Sequence, residues 1–299
     1  MMPDNFCVFI LTYGRPDNVV TYRSLKRQGY TGKIYIIIDN EDETADKYYG
    51  NFGDKVIMFD KKMIAETFDI GDNFDDRRAV VYARNACFDI AKELGIKYFL
   101  VLDDDYQTFI FRTNNDYDIP TKGFVVKKSL DILFTQLLYF YKSINAKSIA
   151  ISQGGDFIGG KDSSFYDFKL RRKCMNTFFC CVDRPFKFMG RINEDVNTYV
   201  RGGSTGWLFF TIPLLSITQL RTQSNDGGLT DIYLNYGTYI KSFYTILFSP
   251  SCTRIRLMGT KHKRLHHSIS WANAVPVILD EKYKKGAACK LYDSTPCEM

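Results

Sequence analysis

Apolar positions in the first third of the chain fall in short unbroken runs, each followed by helical periodicity. Cys7-Val8-Phe9-Ile10-Leu11 is the first run, Ile34-Tyr35-Ile36-Ile37-Ile38 the second, Val56 to Phe59 the third and Tyr98-Phe99-Leu100-Val101-Leu102 the fourth. A strand that is apolar at successive positions has both faces buried, which points to a mainly parallel sheet covered by helices. A helix is predicted over residues 19–29, with Asp17 as its N-cap and Gly29 just beyond its end. Another is predicted over residues 77–94, where Val80, Ala83, Cys87, Ile90, Ala91 and Leu94 recur at helical spacing before Gly95. Further on, the pattern predicts a long amphipathic helix from Phe124 to Ile144 and strands at 148–152 and 177–182. A helix over 231–248 and a short strand at 254–257 complete the reading. The expected class is α/β, a Rossmann-like mixed sheet flanked by helices, in one domain.

Polar clusters follow the strands, and their positions suggest chemistry. Thr12-Tyr13-Gly14-Arg15-Pro16 follows the first run, Asp39-Asn40-Glu41-Asp42 the second and Asp103-Asp104-Asp105 the fourth. In open α/β sheets ligands bind beyond the carboxyl ends of the strands, so these clusters lie where a ligand belongs. Three consecutive carboxylates repel one another, and a divalent cation such as Mg²⁺ or Mn²⁺ is a common compensation. Strand alternation predicts Asp103 and Asp105 on one face, as an Asp-x-Asp metal site, with Asp104 turned away. A solvated acidic turn is the plain alternative.

Arg77 and Arg84, seven apart, are expected on one helix face beside Asn85, to grip phosphate or stack on a base. Ordinary solvated helix charges would look the same. Glu194 and Asp195 open a later predicted helix and are candidate bases toward an acceptor hydroxyl, or simply acids at a helix N-terminus. The three histidines, His262, His266 and His267, fall together and match no zinc spacing.

Composition narrows the classes without choosing among them. The chain has 299 residues, 45% hydrophobic and 15% aromatic, enough to bury a sizeable core. The net charge of +6 draws a polyanion only if basic residues share a face. Arg171, Arg172 and Lys173, and later Lys261, Lys263 and Arg264, are the candidate DNA-binding groups, with solvated surface as the competing reading. The eight cysteines show no C-x-x-C spacing and no secretory segment leads the first strand, so reduced thiols in the cytoplasm are expected. Adjacent Cys180 and Cys181 are expected on opposite strand faces. No apolar run is long enough to suggest a membrane span.

Taken together, the Thr12 to Pro16 loop, Asp39-x-Glu41-Asp42, Gly71-Asp72-Asn73-Phe74, Arg77-Arg78, Tyr82-Ala83-Arg84-Asn85 and Leu102-Asp103-Asp104-Asp105-Tyr106 resemble the TET-associated glycosyltransferases of bacteriophages. The match is most specific over residues 6–106 and continues more loosely through Glu194-Asp195 and His266-His267-Ser268-x-x-Trp271. The resemblance implies a GT-A type fold, with residues 1–110 binding the nucleotide sugar and residues 111–299 forming the acceptor-binding and catalytic half. It implies sugar transfer from a nucleotide sugar, a UDP-sugar, to hydroxymethylated pyrimidines, foremost 5-hydroxymethylcytosine, in double-stranded phage DNA.

Carried over by position, the resemblance implies that Thr12, Gly14, Arg15, Asp39, Glu41, Asp72, Arg77, Arg84, Asn85, Asp103 and Asp104 hold the donor. Asp103, Asp105 and His267 are the implied Mn²⁺ or Mg²⁺ ligands, and Glu194 or Asp195 the acceptor-side carboxylate. The full triplet leaves the division of labour among its three carboxylates open. So does the outcome at the anomeric carbon. A glycosyltransferase with a protein, lipid or glycan acceptor, a nucleotidyltransferase and a non-catalytic DNA-binding or sugar-binding module are the rival readings.

Overall fold

The computed structural model describes residues 2–72, 77–112, 123–157, 172–219, 237, 239–259 and 263–274. The strands, in chain order, are Phe6–Leu11 (β1), Lys33–Asp39 (β2), Val56–Phe59 (β3), Tyr98–Asp103 (β4), Tyr106–Arg112 (β5), Gly123–Val125 (β6), Ser148–Gln153 (β7), Phe178–Cys181 (β8) and Phe209–Gln219 (β9). Among the described residues they form one nine-stranded sheet, ordered β3-β2-β1-β4-β8-β7-β9-β5-β6. The first four strands are parallel, β8 runs against β4 and β7, β9 is parallel to β7, and β5 and β6 continue antiparallel. Residue 110 falls inside β5, so the expected donor and acceptor halves share this sheet.

Alternation along the buried strands builds a core on each face. Phe6, Val8 and Ile10 of β1 join one cluster with Leu100 and Leu102 of β4, while Cys7, Phe9 and Leu11 join the other with Phe99 and Val101. The first face is covered by α1 (Val20–Arg27), α2 (Ala45–Phe52) and α5 (Leu130–Ser143), through residues such as Leu25, Tyr48 and Phe134. Alongside the short α3 (Lys61–Ala65), the second face is covered by α4 (Val81–Glu93) and α6 (Glu194–Ser204) through Tyr82, Cys87, Val196 and Val200. Cys180 and Cys181 lie in opposite cores, as alternation requires, and the described cysteines are all buried and unpaired. No helix among the described residues is long and apolar enough to cross a membrane.

Outside the sheet, α7 (Ile240–Phe248) packs against a hairpin of β10 (Thr253–Met258) and β11 (Arg264–Ile269). Just past β11, Trp271 stacks on Tyr199 of α6, ring centroids 6.1 Å apart and 3° from parallel. The hairpin is thereby joined to the helix that carries Glu194 and Asp195.

Several expectations change. Asp17 does not cap α1, whose N-cap position is Val19, because its carboxylate accepts from Asn51 Nδ2 at 3.1 Å instead. The helix expected from residue 77 begins at Val81, so Arg77 sits in the preceding loop and shares no helix face with Arg84. The segment expected to be helical from Phe124 first forms β6. Of the helix expected over 231–248, residues 240–248 are helical, while Gly237, at φ +79°, and Tyr239 precede the helix. The strands β5, β9 and β11 and the helix α2 were not expected.

Candidate active site

The sheet brings the carboxyl ends of β1, β2, β4, β7 and β9 to one edge, where their terminal polar residues converge. A cavity of about 470 Å³ opens there, lined by Thr12, Asp39, Asp103, Gln153 and Gln219 from these strand ends. Its far wall is the start of α6, with Glu194 and Asp195, and Lys241 of α7.

The acidic triplet is a turn as well as a strand end. Strand β4 stops at Asp103, and Thr21 holds the turn that follows: its Oγ1 donates to Asp103 O at 2.6 Å and its N to Asp104 O at 3.0 Å. Tyr106 N then donates to Thr21 Oγ1 at 2.9 Å as β5 begins. Strand alternation therefore ends at Asp103, and the three carboxylates have different hydrogen-bond partners, although the charges of Asp103 and Asp104 still act on Asp105.

Asp104 is buried and accepts from Thr12 Oγ1 at 2.7 Å and Arg15 Nη1 at 3.1 Å. Burial raises its pKa, and Arg15 and Thr12 partly offset the rise. Asp104 thus ties the β1 loop to the acidic turn. Tyr48 joins the tie, its hydroxyl 2.7 Å from Thr12 Oγ1 and accepting from Arg15 N at 2.8 Å. Asp105 is the opposite case. Its Oδ1 is buried with no hydrogen-bond partner, and burial followed by the charges of Asp103 and Asp104 lifts its pKa to about 7.

Asp103 meets Arg84, whose Nη2 lies 3.1 and 3.3 Å from its two carboxylate oxygens. The other terminal nitrogen of Arg84 forms an ion pair with Glu194 Oε1 at 2.8 Å. One guanidinium, packed over the rings of Phe178 and Phe188 at 4.8 and 5.8 Å, therefore bridges the two carboxylate groups that the sequence placed 91 residues apart. Burial works against its charge, but Glu194, Asp103 and Asp195 more than offset that cost and raise its pKa. Burial likewise raises Glu194 and Asp195, with Arg84 opposing in both cases. Asp195 has no ion pair at salt-bridge distance among the described residues; its Oδ1 accepts from Val196 N at 2.7 Å.

Around the β2 end, buried Lys61 pairs with Asp39 at 3.0 Å, reaches Glu41 at 3.9 Å, and lies 4.7 Å from the Tyr13 ring centroid. Asp39 nonetheless has a raised pKa because burial outweighs Lys61. Arg77 Nε donates to Glu41 at 2.7 Å. Gly14, at φ +68°, donates its N–H to Asp42 at 2.8 Å and gives the loop its left-handed turn.

Gly14, Glu41 and Arg77 stand beside the cavity without lining it, and three further expected site residues also lie outside its lining. Asn85 does not face the cavity: its amide closes a two-way pair with the backbone of Phe188, accepting at 2.8 Å and donating at 3.1 Å. Asp72 is turned to Arg191 Nε, at 2.9 Å, and to the Tyr244 hydroxyl, outside the cavity lining. His267 sits on β11, where burial, His266 and Lys241 lower its pKa to about 4. Among the described residues no group of three His, Cys, Asp or Glu is gathered as a metal cluster, and His267 is not among the residues that line the cavity.

The sequence model of the TET-Associated Glycosyltransferase family matches residues 6–228, which covers all of these strand ends and both carboxylate groups. The chain belongs to this family. No curated protein matches this TET-associated glycosyltransferase. Among solved structures it is similar to glucosyl-3-phosphoglycerate synthase from Mycobacterium tuberculosis in complex with Mn²⁺, UDP and phosphoglyceric acid. The TM-score is 0.43 at 8% identity, over 88% of this chain and 86% of that one. It is also similar to residues 1–349 of S. aureus TarS, with a TM-score of 0.39 at 11% identity, over 82% of this chain and 66% of the other.

The basic residues of this glycosyltransferase divide between two places. Lys173 is ion-paired with Asp156 beside a second, smaller cavity, so it is not a free surface cation, and Arg172 is partly buried with a lowered pKa for that reason. Arg171 and Lys261 lie outside the described residues. Lys263 and Arg264 are exposed on the hairpin. Cross-strand pairing of Arg256 with His266 and of Met258 with Arg264 places Arg254, Arg256 and Arg264 on one face. Arg254 and Arg256 escaped the sequence reading because they alternate with Ile255 and Leu257 in what read only as a strand. Lys61 and Lys241 escaped it too. Lys61 follows a strand end, the same signal that marked Asp39, whereas nothing local marks Lys241.

Proposed function

We propose that this nucleotide-sugar glycosyltransferase moves a sugar from a UDP-sugar to the hydroxymethyl group of a modified pyrimidine, 5-hydroxymethylcytosine, in double-stranded DNA, in the cytoplasm of a phage-infected host. The observation that carries the chemistry is the cavity in which Asp103 to Asp105 and the Glu194–Asp195 pair stand on either side of Arg84. Support for the acceptor comes from the exposed arginine face of the hairpin, which packs against α7, the helix that carries Lys241 into the cavity lining. An arginine row of this kind suits a phosphodiester backbone.

Thr12, Arg15, Asp39 and Lys61 frame the nucleotide end of the cavity. Arg84 and Lys241 offer positive charge to a diphosphate whose negative charge grows as its bond to the anomeric carbon breaks. Asp195 is the base in this scheme, since Glu194 is already committed to Arg84. It takes the hydroxymethyl proton as the acceptor oxygen bonds to the anomeric carbon, with inversion. Glu194 and Arg84 position the wall on which Asp195 stands.

The residues also fit a hard divalent cation, because Asp105 carries a buried carboxylate oxygen without a donor beside two further carboxylates. Asp103 and Asp105 would hold Mn²⁺ or Mg²⁺, which when bound supplies charge compensation to the diphosphate. In EDTA at a pH above 7, Asp105→Asn is expected to melt about 2–4 °C above wild type, because it removes a buried carboxylate charge, repelled by Asp103 and Asp104 as well, that costs roughly 1 kcal/mol. Mn²⁺ is expected to raise the wild-type melting temperature and leave the variant's unchanged. Equal shifts in both proteins would place the cation elsewhere.

The acceptor is tested by incubating the enzyme with hydroxymethylated and plain duplex DNA, UDP-sugars and Mn²⁺, then digesting the DNA and weighing the nucleosides. A hexose or pentose mass on hydroxymethylcytosine alone is expected. Unmodified nucleosides throughout would remove DNA as the acceptor. Reversing the charge of Arg254 and Arg256 to Glu is expected to raise the KM for DNA by roughly tenfold or more at low salt. Hydrolysis of the donor in the absence of DNA should not change.

A further inference from the structure

One corner of the cavity is lined by uncharged side chains. Gln153 at the end of β7, Asn176 just before β8 and Gln219 at the end of β9 line it from adjacent strands, with Met175 beside them. Gln153 Nε2 and Asn176 Nδ2 both donate to Gln219 Oε1, at 3.2 and 3.5 Å. Two donors thus fill one carbonyl oxygen. Gln219 Nε2 is left as a donor, and Gln153 Oε1 and Asn176 Oδ1 as acceptors, without hydrogen bonds among the described residues. Asn176 holds a left-handed backbone, φ +61°. For a non-glycine residue this costs free energy and is sustained by its surroundings.

A single phenol joins this corner to the acidic turn. The Tyr106 hydroxyl lies 2.7 Å from Asn176 O and 3.2 Å from Asp103 Oδ2, and it donates its one proton to either. The backbone that carries the Asn176 amide thus lies beside the acidic turn. A diphosphate calls for cations, which the cavity offers elsewhere, at Arg84 and Lys241. Side-chain amides that both donate and accept suit hydroxyls, which do the same, and Met175 offers an apolar surface to the C–H edge of a sugar ring.

We infer that Gln153, Asn176 and Gln219 are specificity-determining residues that read the hydroxyl pattern of the transferred sugar. The assignment rests on the nucleotide-sugar reading of the cavity and is independent of the acceptor. A site that hydrogen-bonds a hydroxyl discriminates against a sugar that misplaces it, because its amides are then left unpaired.

The test is donor binding by calorimetry, with no acceptor present. The probes are UDP, GDP and dTDP and their hexose conjugates, chosen as pairs that differ in configuration at one carbon. Wild type is expected to favour one hexose over its epimer by about tenfold or more. Gln219→Ala and Gln153→Ala should each narrow that ratio to roughly threefold or less. Affinity for the free nucleoside diphosphate should stay within about twofold of wild type, which also reports an intact fold. An unchanged epimer ratio in both variants would overturn the assignment. So would a parallel loss of affinity for the free diphosphate, or a wild type that binds the diphosphate but is blind to the hexose. Wild type that binds no diphosphate and no conjugate would overturn the donor reading itself, and this assignment with it.

Discussion

Arg84→Met is expected to lower the melting temperature by on the order of 10 °C and to abolish sugar transfer. The guanidinium is 2% exposed and is shared between Asp103 and Glu194. Methionine keeps much of the volume over Phe178 and Phe188 but leaves two carboxylates facing each other without a cation. Breaking a buried ion pair from one side typically costs about 3–5 kcal/mol, a large part of the roughly 5–15 kcal/mol that holds a domain together. Glu194 and Asp103 would then protonate or separate, and the donor and acceptor walls would lose their common reference. Arg84→Lys should fall between, since an ammonium keeps the charge but cannot reach both carboxylates with a planar fork. Thermal denaturation with donor turnover checks this. A methionine variant as stable and active as wild type would mean that the bridge contributes nothing.

The second large effect is expected at Asp195. Asp195→Asn should reduce kcat by about 10²- to 10⁴-fold with little change in donor affinity, the loss typical of a removed general base. Burial raises the Asp195 pKa, with Arg84 opposing, so the working deprotonated form is lost on acidification above the ordinary carboxylate range. Activity should rise with pH through that raised pKa in wild type. The limb should vanish in the asparagine variant. Glu194→Gln keeps an acceptor oxygen toward Arg84 and should cost roughly tenfold, with the limb retained. If Glu194→Gln proves the inactive variant and Asp195→Asn keeps the limb, the two roles are exchanged.

How far the sequence carried this reading follows from what is local. Strand β1 is buried throughout and β2 and β4 over most of their length, so their apolar runs were legible. Strand β9 carries Pro213 and mixed burial, and β11 reads as charges and histidines, so neither announced itself. The acidic triplet was visible, but its internal geometry was not. Thr21, 82 residues before Asp103 in the chain, ends the strand alternation by bonding the turn. The link from Asp103 to Glu194 is likewise tertiary, because nothing near Arg84 in the chain shows that it touches both. Asn85 looked equivalent to Arg84 one position away, yet it points to a different neighbour, as adjacent helical residues must. Gln153 and Gln219 carry no charge and no motif, and only the sheet order brings them together.

The stacked pair of Tyr199 and Trp271 has a practical consequence. The chain contains two tryptophans, and Trp271 rests on a phenol of the helix that presents Asp195, directly beyond the basic hairpin. A polyanion that shifts the hairpin by even a fraction of an ångström moves indole against phenol, so its emission is a built-in optical gauge of acceptor docking. With Trp207 replaced by Phe, that emission would follow engagement at the hairpin in real time, before any sugar is transferred.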